Sequence, residues 1–479
     1  MAAEAYNIMS SSDEPPSCTS TLVEDPTALR RSSSLCREGM KTSLIEGSFS
    51  IAHVTLTAPG FLGGYLLLNG ATDFQLAVML AIPYFFMAFQ LVAAYLTTYL
   101  KNRKLLCCLG VVGWRGVHVI LALLPFIPGL TGTQRLWTIF GLLIFCNLSF
   151  MMVANTWWMW MADIVPKRVR GRYFGFRSGV NLVLGTFWAL AGGQLLDYYK
   201  SRGEADYGFC VLFCVATAFA MTGLFFLRRQ YEPPMQPESV PSLRQIFSIL
   251  GNPSFRRASL FMLTWNFGVG LMVFLMPKHM LGYLQMSYLQ LMLYPVIVSM
   301  IGFLFAKQWG KLIDQVGTRT TLLLCGMTAG FVPIVWIFSA PGTLWPIWFD
   351  AVATGLFGTG MTIAATNLPL VITPQKHRLY YLAVFATVTG LGVGIASPLA
   401  GQAAMWMKDV RISMPFISHD LVNYHLIFAA SAFFRIGSMF LLISLQEENG
   451  RSLKHAWARI GAFLAYPFAK RAPVRAQGA

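Results

Sequence analysis

The sequence predicts an all-α membrane protein: twelve transmembrane helices in two pseudo-symmetric six-helix bundles. Three observations predict it. The chain of 479 residues is 56% hydrophobic and 12% charged, with a mean hydropathy of +0.57, whereas soluble domains carry about 25% charged residues. Apolar stretches recur from Phe49 to Leu445, each of the roughly 20 residues that a helix needs to cross a hydrocarbon core. Finally, Asp163-Ile-Val-Pro-Lys-Arg-Val-Arg170-Gly-Arg172-Tyr173 returns in altered form as Val371-Ile-Thr-Pro-Gln-Lys-His-Arg378-Leu-Tyr-Tyr381. At one offset of 208 residues Pro166 pairs with Pro374, Arg170 with Arg378, Tyr173 with Tyr381 and Gly193-Gln194 with Gly401-Gln402. Such self-similarity marks a doubled unit.

Uninterrupted runs such as Val211 to Leu227 and Leu426 to Leu445 do not alternate, so they are helices and not barrel strands of about 10 residues. In order, the first six spans fall near 49–69, 74–99, 105–128, 134–161, 173–197 and 207–227. The segment from Arg228-Arg229 through Glu232-Pro-Pro to Pro241 then breaks the helix with prolines and charges. Ser242 to Leu250 reads as a short helix lying on the membrane. The second six spans fall near 258–281, 286–306, 320–340, 345–371, 379–404 and 423–445. The expected organisation is a polar tail over 1–48, a bundle over 49–228, a linker over 229–257, a bundle over 258–445 and a tail over 446–479.

The Ser-rich N-tail lacks an apolar core and reads as disordered, not as a signal peptide. In the C-tail, Leu453, Trp457, Ile460 and Leu464 share a helical face beside Arg451, Lys454 and Arg459, the pattern of a surface-lying amphipathic helix. Of the 36 lysines and arginines, the loops of one side hold only Arg135, Lys200, Arg202, Lys278, Lys408 and Arg411. That bias puts both termini in the cytoplasm of a plasma or inner-membrane protein. It also accounts for the net charge of +16 through topology and anionic lipid headgroups, without nucleic acid.

The 8 cysteines show no CxxC spacing and the 7 histidines no HExxH, so neither a disulfide framework nor a metal site is expected. The chain carries no Walker loop, GxSxG elbow or GxGxxG turn. An enzyme and a bound cofactor are therefore not expected.

Between spans eight and nine, Gly310-Lys-Leu-Ile-Asp314-Gln-Val-Gly317-Thr-Arg319 resembles the G-x-x-x-D-[RK]-x-G-[RK]-[RK] loop of the major facilitator superfamily. The 6+6 repeat and the central linker resemble that family too, and the Asp163 to Tyr173 turn resembles a loop of its bacterial members. The matching first-half loop, Ala94 to Lys104, keeps its basic end but has Thr98 in place of the acid. The resemblance implies a secondary active or facilitative transporter, working as a monomer, that moves a small organic solute by alternating access, with a coupling ion such as H+ as a further partner. A non-transporting membrane scaffold or sensor is the alternative. The family's acidic loop residue docks on the start of a helix from the other half, which implies a cytoplasmic gate built from Asp314, Gly310, Gly317 and Arg319 with Asp163, Arg170 and Arg172. Thr98 weakens the matching latch near Arg378.

The family lines its cavity mainly with spans one, four, seven and ten. The candidates are Asn147, Asn155 and Trp158 on span four, Trp265 and Asn266 on span seven, and Asp350, Thr354 and Asn367 on span ten. Amides and indoles suit a solute's hydroxyls, amides or rings. Arg115 and Arg435 lie near the bilayer centre, where a cation is costly, and are expected to bond neighbouring helices, with attraction of an anionic solute as the alternative. No glutamate is expected inside any span, and Asp350 is the only aspartate expected well inside one. Proton coupling would thus rest on Asp350, His53 or His118. The small residues of Gly185 to Gly193, and of their repeat Gly394 to Gly401, suit close helix packing and rocking.

Overall fold

The computed structural model describes residues 26–89, 102–166, 169–233, 251–372, 378–415, 417 and 419–443. Thr98, Pro374, the Ser242 to Leu250 segment and the C-tail helix lie outside them, as does the side chain of Asn155. Among the described residues, 11 helices are long and apolar enough to cross a membrane, and the shorter apolar helix Asp73–Phe85 supplies span 2. Each of the twelve expected spans is therefore represented by a helix.

The first span departs from expectation. Its helix begins at Pro26, and the apolar stretch runs Ser34–Leu68, well before residue 49. Glu38, Lys41 and Glu46 make this segment look like a polar tail. Yet Cys36, Met40, Ser43 and Glu46 are all buried, at spacings that return to one helical face. The expectation that no glutamate enters a span is corrected with it, because Glu46 is only 4% exposed within span 1. Hydropathy averages treat the acid as a cost and cannot register the bases that offset it.

Two spans contain π turns. In span 10 the turn Thr354–Gly358 joins the helices Trp345–Ala353 and Thr359–Ile372; in span 7 the turn His279–Tyr283 closes the end. Span 1 changes direction at Pro59, the first residue of its second helix, Pro59–Leu68, where a missing N–H costs nothing.

The chain divides into two compact units. The first comprises Met1–Leu243, Val273–Leu293 and Gly394–Lys408; the second comprises Arg244–Met272, Tyr294–Val393 and Asp409–Ala479. In the first, Met40, Cys107, Val111, Trp160, Ile164 and Tyr173 pack into one core, and Tyr65 meets Phe209 and Phe213 edge-on. In the second, Phe255, Phe261, Trp309, Leu322, Cys325 and Met361 do the same. Large apolar side chains such as Leu109, Phe433 and Phe440 stay exposed, as lipid-facing surfaces require.

Candidate functional site

The first unit holds a buried charge cluster. Arg115 on span 3 reaches Glu46 on span 1 with its Nη2 at 3.3 Å from Oε1, and the same nitrogen donates to Ser50 Oγ at 2.8 Å. Ser50 Oγ in turn donates to Glu46. Arg115 Nη1 donates to the Ala220 carbonyl of span 6 at 3.5 Å. On the other carboxylate oxygen of Glu46, Arg177 Nη2 of span 5 lies at 3.5 Å. The Arg177 guanidinium sits 4.6 Å from the Trp157 ring centroid on span 4. Room for it exists because residue 47 is glycine: a Cβ there would lie 2.6 Å from Arg177 Nη2. Glu46, Ser50 and His53 share one face of span 1 by their spacing, and His53 meets His118 of span 3 edge-on with centroids 4.8 Å apart. Both rings are buried.

The second unit buries its charge differently. Asp350, 3% exposed, accepts from Tyr294 Oη at 2.7 Å, Trp336 Nε1 at 2.8 Å and Thr354 Oγ1 at 2.7 Å. Arg435 packs against Trp265 and Gly268, its guanidinium 5.9 Å from the Trp265 ring and its stem on Gly268. Asp350 and Trp265, expected on a solute path, are thus enclosed by helix packing. The reason is physical: a carboxylate in an apolar core must be surrounded by donors, and the indole of Trp265, 7% exposed, is part of the hydrophobic core. Thr354 is bonded to Asp350 and half-buried.

The other expected lining residues are more open. Asn147 and Asn266 each turn their amide back on their own helix, to the Leu143 carbonyl at 2.8 Å and the Met262 carbonyl at 2.9 Å, and both remain half-buried. Asn367 is half-buried as well. Trp158 is 57% exposed and stands edge-on to Trp157, ring centroids 5.1 Å apart.

At the Pro166 end of the first unit, the acid expected to orient Arg170 and Arg172 has another partner. Asp163 receives Nη1 of Arg103, a buried residue at the first turn of span 3. Glu232 Oε1 accepts the Arg103 N–H at 2.9 Å, and Arg103 Nη2 donates to the Pro233 carbonyl at 2.8 Å. Trp160 Nε1 donates to the Tyr231 carbonyl at 2.9 Å. The start of the linker is thereby tied to spans 3 and 4. Arg170 Nη2 donates to the Val165 carbonyl at 3.3 Å, while Arg172 is exposed. In the second unit, Gly317 takes φ +91° to turn span 8 into span 9, a conformation open to glycine. Arg319 donates to the Leu442 and Ile443 carbonyls at 3.2 and 2.6 Å, capping the last helix. Asp314 is exposed and Gly310 half-buried.

At the opposite end of the first unit, the repeated glycines Gly193 and Gly401 meet partners that the sequence does not indicate. Spans 2 and 8 both start with a capping box, Thr72 with Gln75 and Ser287 with Gln290. The two free N–H groups that remain at the start of span 8, those of Tyr288 and Leu289, donate to Asp197 of span 5 at 2.7 and 2.9 Å. Gly193 lies one turn before Asp197, where a Cβ would come within 2.8 Å of Leu289 Cα. Gly401 of span 11 does the same to the start of span 2, where a Cβ would be 2.6 Å from the Asp73 carbonyl oxygen. Asp73 also holds Lys278 Nζ at 2.6 Å.

A family model described as Major Facilitator Superfamily matches residues 47–367. Among solved structures, the chain is similar to a bacterial homologue of the human lysosomal transporter Spinster in an inward-facing, unoccupied conformation, with 14% identity and a TM-score of 0.57 over 92% of this chain and 99% of the other. It is similar to the nucleoside transporter NupG as well, with 10% identity and a TM-score of 0.61 over 85% of this chain and 98% of that one. A comparison with curated proteins finds no match. At such identities the solved structures speak for the fold alone. With the model matched over more than half its length and twelve helices in the shared fold, this chain belongs to the major facilitator superfamily of membrane transporters.

Proposed function

We propose that the protein moves a small organic solute across the membrane by alternating access, with two six-helix bundles, spans 1 to 6 and spans 7 to 12, as the moving parts. The observation that carries this reading is the pair of glycine contacts related by the repeat. Gly193 and Gly401, equivalent in the doubled chain, each let a span lie against the first turn of a span from the other half. Glycine packing of this kind brings backbones close without interlocking side chains, so the contact can part and re-form. Acids at Asp197 and Asp73 hold it closed.

The basic bias of the loops supports a cytoplasmic position for the Pro166 turn and both termini. Asp314 and Arg172, both exposed, are the gate candidates of that side. Asn147, Trp158, Asn266 and Asn367 supply hydrogen-bonding and stacking groups for a solute.

The test is untargeted. Proteoliposomes with and without the purified protein are incubated with a cell extract and their contents compared by mass spectrometry. At least one small organic solute is expected to differ between them. Identical contents would overturn the transport reading.

A further inference from the structure

The cluster around Glu46 is electrically incomplete. Two guanidinium groups, Arg115 and Arg177, face one carboxylate. Among the described residues packed around them, span 1 adds Ser50 and His53, span 3 adds His118, span 4 adds Trp157, and span 6 adds the Ala220 carbonyl. None of these supplies a second negative charge. A second ionic set in this unit, Arg103 with Asp163 and Glu232, begins 12 residues back along span 3, or roughly 18 Å along the helix axis, with its acids partly exposed and therefore screened.

Hydrogen bonding is as lopsided as charge. The Nε atoms of Arg115 and Arg177 are both buried without an acceptor, and among the described residues Arg177 makes one side-chain hydrogen bond, from Nη2 to Glu46 Oε2 at 3.5 Å. A buried cation short of acceptors is expensive. A guanidinium seated over an indole can still offer N–H donors to a planar or tetrahedral anion. Arg177 keeps 15% of its side chain exposed, and Trp158, next in the chain to its ring partner, is 57% exposed. In the second unit Arg435 also keeps a buried Nε without an acceptor; what sets Arg177 apart is the second guanidinium, Arg115, on the same carboxylate.

We propose that Arg177, backed by Arg115, is the docking point for an anionic group, a carboxylate or phosphate, on a water-borne small solute. The solute class rests on the transport reading; the local potential does not, and it can be measured without any transport. Glu46 occupies part of the arginine pair in the empty protein and yields Arg177 to the incoming anion, keeping Arg115. Gly47 is the specificity-determining space, because a side chain there displaces the guanidinium.

A thiol placed at Trp158→Cys reads the potential. The variant, in vesicles of phosphatidylcholine alone, is treated with methanethiosulfonate reagents bearing a sulfonate, a trimethylammonium or no charge, and the unsubstituted protein serves as the blank. The sulfonate reagent should react about tenfold faster than the ammonium reagent relative to a free thiol in solution. Adding Arg177→Gln should abolish that preference, Glu46→Gln should increase it, and millimolar benzoate or inorganic phosphate should slow the sulfonate reagent but not the neutral one. An equal preference with and without Arg177, or reaction with the neutral reagent alone because the face lies in lipid, would overturn the proposal. Loss of solute flux with the potential intact would instead count against the transport reading.

Discussion

Asp197 holds the first turn of span 8 with both carboxylate oxygens, one on the Tyr288 N–H at 2.7 Å and the other on the Leu289 N–H at 2.9 Å. With Ser287 serving Gln290, the three N–H groups that follow the cap are satisfied, two of them by a residue 91 and 92 positions away. A carboxylate at a helix N-terminus gains from the helix dipole as well as from its hydrogen bonds.

Asp197→Ala should therefore loosen that turn by about 1.5 to 3 kcal/mol. Hydrogen exchange over residues 287–292 reads this directly, and the expected change is about a tenfold or greater rise in exchange confined to the start of span 8. Unchanged exchange there would mean the turn is held by packing alone.

Gly193→Val and Gly401→Val should each lower thermal stability in detergent, by about 1 to 3 kcal/mol, because the added atoms would meet backbone that cannot move aside. Gly437→Ala is the control: a Cβ there meets nothing within 4 Å, and the change should stay within about 0.5 kcal/mol. Equal effects at all three positions would remove the case for close approach.

Glu46 and Arg115 should be strongly coupled. Glu46→Gln leaves two buried guanidinium groups facing no charge and should cost about 3 to 5 kcal/mol, while the pair Glu46→Gln with Arg115→Met should cost less than the sum of the single changes. A double-mutant cycle on unfolding in denaturant measures it. Additive effects would show that the contact carries no net interaction.

Asp350→Asn keeps the shape but offers an amide nitrogen to a surround of three donors. One of Tyr294, Trp336 and Thr354 loses its acceptor, at about 1 to 3 kcal/mol. The near-ultraviolet signal of Trp336 should change, and Thr354→Val combined with Asp350→Asn should recover part of the stability. A double variant no better than the single one would place the strain elsewhere.

Which features the sequence revealed follows from how far each depends on distant residues. Span number and helical type rest on local composition, and the doubling rests on self-similarity, so both were legible in the order of residues. The first span was misjudged at its start because Glu46 is tolerable only when Arg115 and Arg177, 69 and 131 positions away, come to meet it. Asp350 and Trp265 were legible as polar and aromatic groups at membrane depth, but nothing local says whether such a group faces a path or a ring of donors.

By itself, then, the chain order determined the class, the repeat and the candidate glycines, because apolar length and periodicity act within one helix at a time. Only the tertiary structure decided that Asp163 belongs to Arg103, that Asp197 belongs to span 8, and that two arginines share Glu46. Each of those pairings is a Coulombic or hydrogen-bonded contact between separate helices, and its strength depends on a burial that no single helix can provide.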